Sequence, residues 1–362
     1  MITVEVNGRQ YDNLISVEMG MSLSALARDF SLVVAQPSGT SLPFKGGEEI
    51  KVYIDGQLRL DGSVFTVTPT YTKTEHSVSI TGRSRAADLV DSTLLPISIA
   101  ADISLQKVIE QVISQLGLSL SVTNDISGLA DFVSTEDKIS AEPGDGAFDF
   151  IDKLARKRQV LLTSDPSGNI IITRNGTQRN PVTLLNQVGG GNIIRASVSY
   201  DLNRRFNKYV VMSQKNGAAD SFGGSLDPQS FVNQQGEQSD SSVRSGRQMV
   251  MQAEKASSSS ESSDRATWQS NIARVRSRKY SVTVQGVRPK GGDIWEANRL
   301  QKVIDDQSGI NVIMLIDSVR FSQSKIGGTL TQLGLVDKDA YSVSLSEPTI
   351  AAKVESAFAQ FR

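Results

Sequence analysis

The chain has one histidine, His76, and no cysteine, so thiol chemistry is excluded and imidazole chemistry rests on one residue. His76 is followed by Ser77 and Ser79, a base beside two hydroxyls. They lie in "HSVSITG", where Val78 and Ile80 alternate with polar residues as in a half-buried strand. Adjacent strand side chains point to opposite faces, so His76 and Ser77 do not meet as base and nucleophile. No Gly-x-Ser-x-Gly elbow occurs, and His76 reads as structural.

Carboxylates come in groups: Asp145, Asp149 and Asp152, then Asp305 and Asp306. Glycoside hydrolysis or a hard-cation site needs carboxylates that converge on one pocket. Asp149 and Asp152, three apart, share a face of the helix predicted in "GDGAFDFIDKLARKRQV". Both flank its apolar stripe, where solvated charge belongs. The glycine clusters at 189–192 and 291–293 lack the lysine-serine of a phosphate loop and the spacing of a dinucleotide fold. One histidine and no cysteine exclude multi-histidine and thiolate zinc sites. No catalytic, cofactor-binding or metal-ligating residue is assigned.

Arginines remain. Arg83 and Arg85 follow the "HSVSITG" strand and precede a helical turn, "AADLVDSTL". Ala86, Ala87, Leu89 and Val90 pack that turn back, leaving the guanidinium forks for a neighbour's carboxylates or carbonyls. Arg274, Arg276, Arg278 and Lys279 form the densest basic run. No aromatic ladder interleaves with it, so it reads as a helix end or an inter-subunit salt-bridge surface rather than a base-stacking groove.

The rest of the chain must position these groups. Its 362 residues suffice for two or three domains, and 38% apolar with 21% charged residues is ordinary for a soluble protein. A net charge of -1 gives no global attraction to nucleic acid or anionic lipid. No secretory signal is visible, and the strongest apolar run, "NVIMLI" at 311–316, suits a buried strand, not a membrane span.

Residues 1–96 read as a first β-barrel domain, with hairpin signals at Asp55-Gly56 and Asp61-Gly62. Residues 97–183 read as an α+β domain. Leu105, Val108, Ile109, Val112, Ile113 and Leu116 form one helical stripe, capped by Ser104 or Asp102 and ended by Gly117. A second helix takes Asp145 as cap, with Phe148, Ile151, Leu154 and Ala155 inward, and a hairpin follows around residues 165–168. Residues 184–213 and 279–347 read as a second β-barrel domain. Between them, 214–278 is a polar, serine-rich insertion ending in a short helix capped by Asp264, with Trp268, Ile272 and Val275 on one face. Residues 348–362 are a tail. "DGSVFTV" and "HSVSITG" of the first β region echo "IDSVRFS" and "YSVSLSE" of the last, which suggests duplicated domains.

"ITGRSRAADLVDST", "EPGDGAFDFIDKLARKRQVLLTSDPSGNIIITR" and "YSVTVQGVRPKGGDIWEANRLQKV", in that order, resemble the baseplate hub proteins of Mu-like contractile-tailed phages. Gly286, Arg288, Gly292 and Trp295 carry the last of these features. The resemblance implies a homotrimeric ring at the tip of the tail tube, related to the hub domain of type VI secretion spike proteins. Two like barrels per chain then offer six near-equivalent surfaces, matching a sixfold tube to a threefold central spike. It further implies a virion protein assembled in the host cytoplasm. Its partners would be itself, the spike, the tube and other baseplate proteins, with DNA passing through and no small-molecule substrate or cofactor. Arg83, Arg85, Arg274, Arg276, Arg278, Arg288 and Trp295 are the expected interface residues. The alternatives are a tail-associated peptidoglycan hydrolase using Glu142, Asp145 and Asp149, and a glycan-binding β module. Aromatic content of 6% disfavours the latter.

Overall fold

The computed structural model describes residues 1–11, 14–36, 45–72, 76–99, 102–132, 139–215, 232–253, 259–338 and 340–341. The first β region contains β1 (Ile2–Val6), β2 (Arg9–Tyr11), β3 (Leu14–Ser22), β4 (Ala25–Ala35), β5 (Glu49–Ile54), β6 (Gln57–Tyr71) and β7 (His76–Ser84). Asp55 and Gly56 both take positive φ (48° and 77°), the backbone of a tight two-residue hairpin, and join β5 to β6. Asp61-Gly62 does not turn. It lies inside β6, and Gly62 is needed there because a Cβ would collide with the Arg83 carbonyl.

The α+β unit follows: α1 (Ala87–Asp91), β8 (Ile97–Ile99), α2 (Leu105–Gln115), β9 (Val122–Asn124), β10 (Ile139–Ala141), α3 (Ala147–Lys157), β11 (Leu161–Ser164) and β12 (Ile170–Thr173). Ser104 caps α2 by accepting from Lys107 N at 3.3 Å, and the predicted stripe is buried from Leu105 to Ile113. On α3 the fully buried phenylalanine is Phe150, while Phe148 is half-buried against the same core. Gly146 precedes that helix without a side-chain cap, while Asp145 accepts instead from Glu142 N at 2.9 Å.

The remaining elements are β13 (Leu184–Gln187), β14 (Gly190–Gly191), β15 (Ile193–Tyr200), β16 (Lys208–Lys215), β17 (Val232–Ser239), β18 (Gln248–Gln252), α4 (Ser259–Arg276), β19 (Arg278–Gln285), β20 (Leu300–Asp305), β21 (Ile310–Ser324) and β22 (Gly328–Asp337). Strand β16, expected in the second barrel, pairs instead with β17 and β18 in a separate three-stranded sheet. Its core, with Tyr209 and Val211, closes under Ala266 and Ala273 of α4. Trp268, Ile272 and Val275 are buried as expected, but α4 starts at Ser259, so Asp264 lies within it rather than at its cap. The tail and "SVSLSE" of the second echo lie outside the described residues.

Two ladders run in the same order. The first is β5-β6-β7-β4-β3 and the second is β20-β21-β22-β19-β15, with every neighbouring pair antiparallel. "DGSVFTV" and "IDSVRFS" fall on the corresponding strands β6 and β21, each of 15 residues. The counterpart of β7 is β22, not the "YSVSLSE" stretch. Bulges fix the correspondence. The register shifts at Phe65 in β6 against β7 and at Asp317 in β21 against β22. Following paired residues outward from just beyond each bulge gives Thr66–Thr81–Ser31–Glu18 and Ser318–Gly334–Ser281–Ser197. In that alignment a second bulge falls at matching places, Ile15 in β3 and Ile194 in β15. The ladders are not separate sheets: β21 pairs with β3, and one 14-stranded sheet runs through both. A single apolar core, from Ile2 to Leu335, underlies them.

Candidate assembly interface

Of the arginines picked out by sequence, Arg83, Arg85 and Arg288 have partners within the chain. Arg83, at the end of β7, pairs with Asp91 at the end of α1 and covers the Phe65 ring at 4.9 Å. Arg85 donates to the Ser119 carbonyl at 3.1 Å. The pair therefore fastens the first ladder to the α+β unit. Arg288 donates to Asp55 Oδ2 from Nε at 3.1 Å and Nη2 at 2.6 Å, and the N-terminal amine meets the other Asp55 oxygen. The amine first, and Arg288 with it, hold the Asp55 carboxyl below its usual range against partial burial. Arg274 and Arg278 are half-buried at the end of α4 and start of β19, not a projecting basic patch. Burial lowers the Arg274 pKa. Arg276 lies in α4. Trp295 is only 2% exposed and packs into the common core.

Sequence reading missed Arg28. It sits on the inward face of β4, between Leu26 and Phe30, where an apolar residue is expected. Its guanidinium donates to the Arg59 carbonyl at 2.8 Å and the Ser164 carbonyl at 2.9 Å. Burial lowers its pKa to about 10; Glu296 opposes this and Arg59 adds to it. Arg59, itself buried, pairs with Glu296 of the second half. The signal was available: an arginine in phase with Leu26, Phe30 and Leu32 on one strand face. Around this point the three units border an open cleft of about 740 Å³, lined by both signs of charge, including Arg28, Asp125, Glu296 and Arg299.

Of the hydrolase candidates, Asp149 lies in the first turn of α3. Asp145 is taken up by the Glu142 backbone, and Asp152 pairs with Arg156. Among the described residues, no group of three or more histidine, cysteine or acidic side chains is placed to hold a metal ion.

Two edges of the main sheet, on β6 and β15, lack a neighbouring strand among the described residues. β5 covers one side of β6 as far as Ser63, and β7 covers the other side to Tyr71. From Phe65 to Tyr71 the β5 side has no described strand. The same side of β21 is fully used: β20 takes Ile310–Leu315 and β3 takes Ser318–Ser324. Among the described residues β15, the counterpart of β3, pairs with β19 alone. Burial follows pairing. Val17, Met19, Val319 and Phe321 at the β3–β21 join are fully buried. Their counterparts Ala196, Val198 and Val67 are half-buried, and Pro69 is exposed. Tyr200 and Tyr71 nearby are 50% and 75% exposed.

The chain thus combines two like β ladders in one sheet with an α+β unit that lies between them in sequence. Residues 1–84 match the model of the Mu phage baseplate assembly protein GpP-like N-terminal domain, and 86–174 that of the baseplate hub protein gp44-like second domain. Residues 258–344 match the Mu phage baseplate assembly protein GpP fourth domain. The baseplate hub protein gp44 of Escherichia phage Mu is 23% identical over 352 residues, covering 94% of this chain and 89% of that protein. The 43 kDa tail protein of prophage MuSo2 from Shewanella oneidensis superposes with a TM-score of 0.78 at 25% identity, over 95% and 99% of the two chains. The E. coli c3393 protein, a type VI secretion component described as similar to T4 tail proteins gp27 and gp5, shares the fold. Its TM-score is 0.57 at 9% identity, over 95% of this chain and 77% of that one. The chain belongs to the Mu-type baseplate hub family.

Proposed function

We propose that this chain is a non-enzymatic subunit of a contractile-tail baseplate hub, acting as a ring of three copies. The ring joins the sixfold tail tube to a threefold central spike and leaves a channel for DNA. Its place is the virion, after assembly in the host cytoplasm. The observation that carries this reading is the repeated ladder, with bulges at matching places in both halves. Three chains with two like halves present six similar units around one axis, and closed rings of this kind use contacts that return on themselves. A net charge of -1 suits a channel that passes DNA without holding it.

Native mass spectrometry of the full chain at tens of micromolar tests the stoichiometry, and negative-stain images test the annular form. A trimer with a central hole is expected; a monomer sinks the reading. A peptidoglycan zymogram should stay clear of lysis. Lysis that Asp149→Ala abolishes would establish the hydrolase alternative.

A further inference from the structure

The join between the two halves supplies a template for the join between chains. We infer that β15 of one subunit adds antiparallel to the open side of β6 in the next, repeating the β3–β21 pairing. This rests on the ring reading above and specifies which strands close the ring, and in what register.

The register comes from transposing observed pairs. Within the chain Val319 faces Met21, Arg320 faces Gly20, Phe321 faces Met19, and Ser322 faces Glu18. The bulges equate Ser318 with Thr66 and Glu18 with Ser197, as the matched rows require. The inter-subunit pairs are then Val67 with Tyr200, Thr68 with Ser199, Pro69 with Val198, and Thr70 with Ser197.

Three independent observations agree with this pairing. The side-chain phase is right: Ala196, Val198 and Val67 already pack at the margin of the common core and lack only a cover. The edges carry no charge: neither 65–71 nor 196–200 contains a charged residue, although exposed strand edges are often protected by charge, and Pro69 is the protective residue on β6. Lengths also fit, because β6 extends beyond β5 as β21 extends beyond β20. Pro69 has no N–H, so this ladder has one donor fewer than its template.

The chain lacks cysteine, so introduced thiols report only on the positions chosen. Directly opposed strand residues have Cβ atoms about 4.5–5.5 Å apart, close enough for a disulfide after small adjustment. The double variant Thr68→Cys, Ser199→Cys should give covalent dimers and trimers on oxidation, seen on a non-reducing gel. Thr68→Cys with Arg195→Cys, four residues out of register, should give monomer. Amide exchange on the unmodified trimer provides a second reading: 66–71 and 196–200 should be protected like 16–22 and 318–324. A trimer that fails to cross-link in register, cross-links equally out of register, or exchanges freely at both edges overturns this pairing and leaves the ring reading standing. A chain that stays monomeric overturns both.

Discussion

Tyr280 stands in the second ladder at the row where Phe30 stands in the first, and its hydroxyl donates to Asp305 Oδ2 at 2.7 Å. Both rings are buried in the common core. The other oxygen of Asp305 accepts from Asn186 Nδ2 at 2.7 Å and from Gln307 N at 3.1 Å. The second ladder thus carries a buried polar knot where the first carries only packing. Tyr280→Phe keeps the ring and removes one donor from a buried carboxylate. The expected loss is about 1–3 kcal/mol in urea unfolding; an unchanged midpoint and slope would mean that water replaces the hydroxyl at no cost.

Gly82, on β7, faces the Phe30 ring and the Ser63 carbonyl, and a Cβ there would overlap both. The carbonyl belongs to a ladder strand and cannot swing away. Gly82→Ala should destabilise by at least about 3 kcal/mol or prevent soluble expression. Gly8→Ala is the comparison: its site is open, and only a positive φ of 75° opposes the change. That variant should lose about 1 kcal/mol and remain folded.

Glu296 is the counter-charge for Arg59 across the two halves, close to the buried Arg28. Glu296→Gln leaves two guanidinium groups near each other with less compensation. Because Glu296 is a third exposed, water screens part of the loss, and about 1–3 kcal/mol is expected. Arg28, already lowered to about 10, should titrate lower still. The deficit of the variant relative to the parent should therefore narrow above about pH 10, measurable by chemical unfolding at pH 7 and pH 10.5.

Acid should loosen the chain through three aspartates. Asp55 is lowered by the N-terminal amine and by Arg288. Burial opposes ionisation of Asp240 and Asp305, but Arg205 and Ser242 at the first, and Tyr280, Ser308 and Asn186 at the second, outweigh it and lower both. A carboxyl with a lower pKa folded than unfolded contributes stability in full above the unfolded value, near 4. That contribution disappears as pH falls through the folded value. Melting temperature should be flat from pH 7 to 5 and fall below about 4. A melting curve independent of pH down to 2.5 would contradict this.

Local pattern was the legible part of the fold. The alternation of β1, the α2 stripe and the Asp55-Gly56 turn depend on neighbours in sequence, so periodicity and turn chemistry specify them. Partner choice is not local. β16 reads as a strand, but nothing in "KYVVMSQK" says that it pairs with β17 and β18 rather than with the main sheet. Asp61-Gly62 looks like a turn and is a close approach of two strands, which needs the same glycine for another reason. The interface arginines were visible as types, but Arg83 and Arg85 find acceptors within the chain through contacts that only the fold brings together. The open edges were invisible in sequence, because they are defined by which neighbours stop short.

The β3–β21 join has a consequence for synthesis. The amino-terminal ladder exists early on the ribosome, yet its flank at β3 waits for a strand that starts at Ile310. Contacts so distant along the polypeptide slow folding, and bare strands invite association between nascent chains. Production of this protein is accordingly a race between translation and aggregation, and cooler or slower expression should raise the soluble yield.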